Sequence, residues 1–84
     1  MSEPEKMFPI QGCPPIPWRI AMRAYHIYTR FFGHQQSMER LAERGGFGLQ
    51  EFACLFEGHS PISCDRHRCL EKAVTLAYQP RGEA

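Results

Sequence analysis

The segment WRIAMRAYHIYTRFF, Trp18–Phe32, constrains the fold more than any other stretch, because neither glycine nor proline interrupts it and its side chains sort by helical period. Arg19, Arg23, His26 and Arg30 fall on one cationic stripe. Trp18, Ala21, Met22, Tyr25, Tyr28 and Phe32 form a second face, and Ile20, Ala24, Ile27 and Phe31 a third. A helix apolar over so much of its circumference either sits centrally in a domain or turns one face to a partner. Gly33 ends it.

The flanks organise around this helix. Residues 1–17 hold most of the chain's prolines, together with Gly12 and Cys13, and read as an irregular Pro-rich leader resting on or beside the domain. Ser37 is suited to cap a second helix over 38–44, with Met38, Leu41 and Ala42 facing inward. Gly45, Gly46 and Gly48 break it around Phe47, and a third helix over 49–57 follows with Phe52, Leu55 and Phe56 as its core set. Ser60 with Pro61, or alternatively Ser63, opens a fourth helix that runs to Ala77 or Tyr78 on Cys69, Leu70, Ala73, Val74 and Ala77. Residues 80–84 read as a frayed tail. The expected fold is all-α: one domain of three to four helices over 18–79, with a helix-turn-helix-like corner and the Pro-rich N-terminal leader.

The corner invites a DNA-binding reading. Ala42, Gly46, Phe47, Phe52 and Leu55 have the spacing of two short helices meeting at a steep angle. A recognition helix must also offer Arg, Lys, Asn or Gln to base edges and neutralise phosphates on its flanks. The third helix supplies Gln50 with the acids Glu51 and Glu57 and no cation. The net charge of +1 and pI of about 7.7 lie below the strongly basic range of dedicated DNA-binding domains. The cations concentrate instead on the first helix, where arginine and aromatic side chains together suit a protein interface. Arg19, Arg23, His26 and Arg30, with Trp18 and Tyr25, are the expected partner-binding residues; the bland alternative is a solvated polar face.

His59, Cys64, His67 and Cys69 form a group with metal-ligand chemistry. On a fourth helix that includes them, Cys64 and His67 would share a face while Cys69 points away, and no C-x-x-C pair is present. A site would need His59 or Cys54 to swing in. The expectation is therefore no cofactor and no metal, with buried thiols and surface histidines, and a structural zinc at these residues as the alternative. Cys64 beside His67 lacks any recognisable phosphate loop or oxyanion element, so no enzyme is expected. No apolar run reaches the roughly 18 residues of a membrane span, and the start MSEPEKMF does not read as an export signal. A soluble, cytoplasmic protein with reduced thiols is expected.

The stretches WRIAMRAYHIY at 18–28 and QSMERLAERGGFG at 36–48 resemble a group of small proteins encoded by bacteriophages and prophages. The resemblance spans about residues 16–58 and is carried by Trp18, Ala21, Ala24, Tyr25, Tyr28, Ser37, Glu39, Arg40, Leu41, Ala42, Glu43, Arg44, Gly45, Gly46, Phe47 and Gly48. It implies a setting in the host bacterial cell and action by binding. In that setting the expectation is a non-enzymatic protein that binds a host protein or complex and inhibits or modifies it. A small helix-turn-helix transcriptional regulator is the alternative, and self-association through the Trp18 and Tyr25 face a third reading.

Overall fold

A computed structural model describes residues 6–78. The elements are β1 (Met7–Gln11), β2 (Cys13–Pro17), α1 (Trp18–Phe32), α2 (Met38–Glu43), β3 (Phe47–Gly48), α3 (Leu49–Phe56) and α4 (Arg66–Ala77). The all-α expectation is corrected: the chain is mixed α/β, with a three-stranded sheet in the order β2-β1-β3 beside four helices. β1 pairs antiparallel with β2 and parallel with β3.

The sheet comes from the stretch read as an irregular leader, and the reason lies in where its prolines fall. Pro14, Pro15 and Pro17 sit in β2, the edge strand, where a missing N–H can face away from the ladder. Pro9 lies where the register shifts between Phe8 and Ile10, so it too avoids a regular ladder position. The apolar residues alternate as a half-buried strand requires: Phe8 and Ile10 point inward, Met7 and Gln11 outward, and Ile16 of β2 is fully buried. Phe8 meets Trp18 edge-on with ring centroids 5.6 Å apart and Phe47 at 5.3 Å. The first strands are therefore one wall of the core.

The helix-turn-helix-like corner is corrected as well. α2 begins as expected, with the Ser37 hydroxyl accepting from the Arg40 amide at 3.2 Å. It ends in a Schellman motif, in which the Gly46 amide donates to Leu41 O at 2.7 Å and the Gly45 amide to Ala42 O at 3.1 Å. The chain then enters β3, pairing Phe47 with Ile10 and Gly48 with Gln11, and α3 turns to pack mainly against α4 and α1. Gly46, assigned to the turn of a helix corner, serves a different contact. A Cβ there would lie 1.8 Å from the carbonyl oxygen of Pro9, so β1 passes directly over it.

α3 is the centre of the molecule. Phe52, Ala53, Cys54, Leu55 and Phe56 are all buried, leaving Gln50 as the one exposed residue on that helix. α1 covers one side of it with Ala21 and Ala24, and α4 covers the other with Cys69, Ala73 and Ala77. α4 starts later than expected: Asp65, rather than Ser60 or Ser63, is its N-cap. At its far end the Tyr78 hydroxyl donates to Pro14 O at 2.7 Å, tying the last helix to the edge strand. The tail at 80–84 lies outside the described residues. Among those described, no helix is long and apolar enough to cross a membrane.

Candidate functional site

Two features stand out on this scaffold: a cluster of sulfur and imidazole groups between α3 and α4, and the exposed cationic face of α1.

The cluster is assembled by the two helix ends. α3 stops in a second Schellman motif, with the His59 amide donating to Cys54 O at 2.8 Å and the Gly58 amide to Leu55 O at 3.0 Å. In such a stop the residue two past the cap lies over the last turn, a pairing usually made by apolar side chains. Here those two positions are held by Cys54 and His59. α4 starts with Asp65 as N-cap, its carboxylate accepting from the Arg68 amide. The residue before a cap and the fourth helical residue also touch, again usually as an apolar staple. Here that pair is Cys64 and Cys69.

The three sulfurs gather between the two helix ends, with the His59 ring beside two of them. The Sγ atoms of Cys54, Cys64 and Cys69 all lie within 4.8 Å of one another, with Cys64 and Cys69 3.1 Å apart. The Nδ1 atom of His59 lies 3.1 Å from Cys69 Sγ and 3.5 Å from Cys64 Sγ. All four cysteines of the chain carry free thiols, and Cys13 lies outside the cluster on β2. The Arg66 guanidinium donates to Pro61 O at 3.0 Å, holding the connecting loop against the start of α4.

The expected candidates were His59, Cys64, His67 and Cys69. Three of them converge and His67 does not; Cys54 takes its place. His67 shares a face with Cys64 only where both lie on one helix, and Cys64 precedes the cap. The signal in the sequence is the spacing C-x4-H-x4-C-x4-C, because both helix-end motifs bring together residues five apart.

Burial raises the Cys54, Cys64 and Cys69 thiols above their ordinary range. The rise is greatest for Cys69, which burial, together with the hydrogen bond and charge of Cys64, pushes up to about 11. Crowded thiols resist ionisation because each negative charge would face the next; a bound cation reverses that preference.

On α1 the structure exposes Arg19, Arg23, His26 and Arg30 along one side. Arg23 is partly engaged, its guanidinium 4.6 Å from the Phe56 ring centroid. Met22 and Phe31, 40% and 46% exposed, flank the stripe. Trp18 and Tyr25 lie off this face and are half-buried. Trp18 packs against Phe8 and lies under the Lys6 ammonium, while Tyr25 donates its hydroxyl to Gln36 O at 2.8 Å and stacks on Tyr28. Tyr25→Phe is accordingly expected to lower stability by about 1 kcal/mol, read from urea denaturation, through loss of that hydrogen bond.

No protein-family model, curated protein or solved structure matches the chain.

Proposed function

We propose that this is a phage-encoded, non-catalytic protein that binds an acidic surface of a host protein through the exposed face of α1, and thereby inhibits or modifies that protein. The observation that carries this reading is the distribution of burial and charge between α1 and α3. α3, the helix in the would-be recognition position, has five consecutive buried residues and is enclosed by α1 and α4. A helix enclosed in this way offers little surface to a DNA groove, which favours the protein-binding reading.

α1 has the opposite character. It displays three arginines and a histidine along one side, its sequence contains no Asp or Glu, and exposed Met22 and Phe31 border the charges. Arginine beside exposed apolar side chains is the composition of a protein-binding patch, in which the charges choose the partner and the apolar contacts hold it.

The experiment is capture of partners from bacterial host lysate on the tagged chain, with and without nuclease, followed by binding measurements on the partner recovered. A nuclease-resistant host protein is expected. The double variant Arg19→Glu with Arg30→Glu should keep the helical circular dichroism of the wild type and weaken that binding about thirtyfold or more, as loss of a strong interface anchor does. Recovery of nuclease-sensitive DNA alone, or unchanged affinity of the folded double variant, would overturn the proposal.

A further inference from the structure

We infer that Cys54, His59, Cys64 and Cys69 together hold one zinc ion that locks the end of α3 to the start of α4. The inference is independent of the partner proposed for α1.

The donor set comes first. Three thiol sulfurs and one imidazole nitrogen form one of the standard sets for a structural zinc, which takes four ligands in a tetrahedron and leaves no position open. With zinc bonds of about 2.3 Å to sulfur and 2.0 Å to nitrogen, the donors around such an ion stand roughly 3.5–3.8 Å apart. His59 Nδ1 lies 3.1 Å from Cys69 Sγ and 3.5 Å from Cys64 Sγ, and the three sulfurs lie within 4.8 Å of one another, close to those edges. In the tetrahedron, His59 Nδ1 and Cys54 Sγ come to share one centre with the other two sulfurs.

The backbone gives the second argument. Each ligand pair is held by a helix-end motif that is complete in the structure, the α3 stop for Cys54 and His59 and the capped α4 start for Cys64 and Cys69. Those motifs normally bury an apolar contact; a thiol can fill one, but the imidazole of His59 is a poor substitute. An imidazole and three thiols gathered at two facing helix ends are accounted for by a shared ligand. A disulfide accounts for less, since joining any two of the three sulfurs leaves the third thiol and the His59 ring without a role.

Charge is the third. Three thiolates on a zinc leave one net negative charge: Arg66 favours the Cys54 thiolate, and the shallow depression at His59 and Cys69 is lined by Arg68 and Lys72 as well as by Glu57 and Asp65, so that the three cations outnumber the two acids. The start of α4 adds the positive end of its dipole. Binding releases the thiol protons to solvent as the zinc–sulfur bonds form, with no change of oxidation state.

Such a clamp also answers a need of the fold. A chain of this size has a small core, and a metal is one of the usual staples for domains near this limit. The connection between α3 and α4 is where this chain has the least regular structure among the described residues to hold it.

The test uses the full chain purified under reducing conditions without a metal-affinity tag. Elemental analysis is expected to find one zinc per chain, and a strong chelator should lower the melting temperature by about 10 °C or more. Cobalt(II) added to the stripped protein should give the intense visible absorption of a tetrahedral thiolate site. His59→Cys should retain one metal and shift that absorption toward the four-thiolate spectrum, whereas His67→Ala should change neither metal content nor spectrum. Because the cobalt titration uses the wild-type chain, it stands even if Cys54→Ser or Cys69→Ser fails to fold. A folded chain that takes up neither zinc nor cobalt, iron in place of zinc, or a disulfide among these cysteines in the reduced preparation would overturn the inference.

Discussion

Gly46→Ala is expected to destabilise the protein by about 4 kcal/mol or more, a loss in the range that only named structural conflicts produce. Two effects combine. Gly46 has φ of +76°, a left-handed conformation that costs an L residue roughly 1–2 kcal/mol. In addition, the new Cβ would stand 1.8 Å from Pro9 O and 2.8 Å from Pro9 C, with Phe8 Cε1 at 3.1 Å. Those are mostly backbone atoms of β1, so relief requires moving the strand off β3 and pulling Phe8 out of the core. Gly45→Ala is the control. Its φ is +106°, but the nearest atoms to its Cβ are 3.8 Å away in the Gln11 side chain, so only the conformational penalty of about 1–2 kcal/mol applies. Denaturant unfolding followed by circular dichroism separates the two. If Gly46→Ala and Gly45→Ala melt within experimental error of each other, the close passage of β1 over the α2 stop is not there.

Phe8→Ala is expected to cost about 3–5 kcal/mol, the loss typical of a large aromatic removed from a well-packed core. Phe8 is fully buried, and its ring joins β1 to α1 through Trp18 and to β3 through Phe47. An appendage lying beside a helical domain would tolerate the change, since its removal would leave that domain's core intact. A loss below about 1 kcal/mol in the same unfolding assay would restore the reading of 1–17 as a leader and contradict the sheet. Met7 supplies the internal comparison, because it lies on the same strand but faces outward at 45% exposure, and Met7→Ala should be nearly neutral.

The two variants bear on the same architectural point from opposite sides. The β1 wall depends on a large side chain in one place and on the absence of any side chain in another. Phe47 connects them: it is 1% exposed, sits between the rings of Phe8 and Tyr28, and follows directly on the glycine that β1 crosses. The proposed zinc clamp lies elsewhere, beyond the other end of α3. Its loss should therefore loosen α4 without opening the sheet, whereas Gly46→Ala should open the sheet first.

What the sequence alone determined was whatever depends on neighbours along the chain. The helical period of Trp18–Phe32, the cap at Ser37, and the inward positions of Leu41, Phe52, Leu55 and Ala73 could all be read directly, because an α-helix repeats its contacts within a few residues. So could the exposed stripe of Arg19, Arg23, His26 and Arg30, since charges at helical spacing share a side wherever the helix packs. The sheet was not legible. Prolines normally exclude strands, and only the finished strand order shows that Pro14, Pro15 and Pro17 lie on an edge and Pro9 at an irregularity. Gly46 looked like a turn residue because nothing local reveals that another strand passes over it. The cluster was half legible: its residue types were evident, but its membership depended on where α3 stops and α4 starts. A start at Ser60 or Ser63 would have put Cys64 and His67 on one face. The start at Asp65 places Cys64 outside the helix, brings in Cys54 from the core of α3, and leaves His67 in solvent. Helix ends are set by competition among several plausible caps, and that competition is decided by the tertiary packing that buries Cys69 and Ala73 against α3.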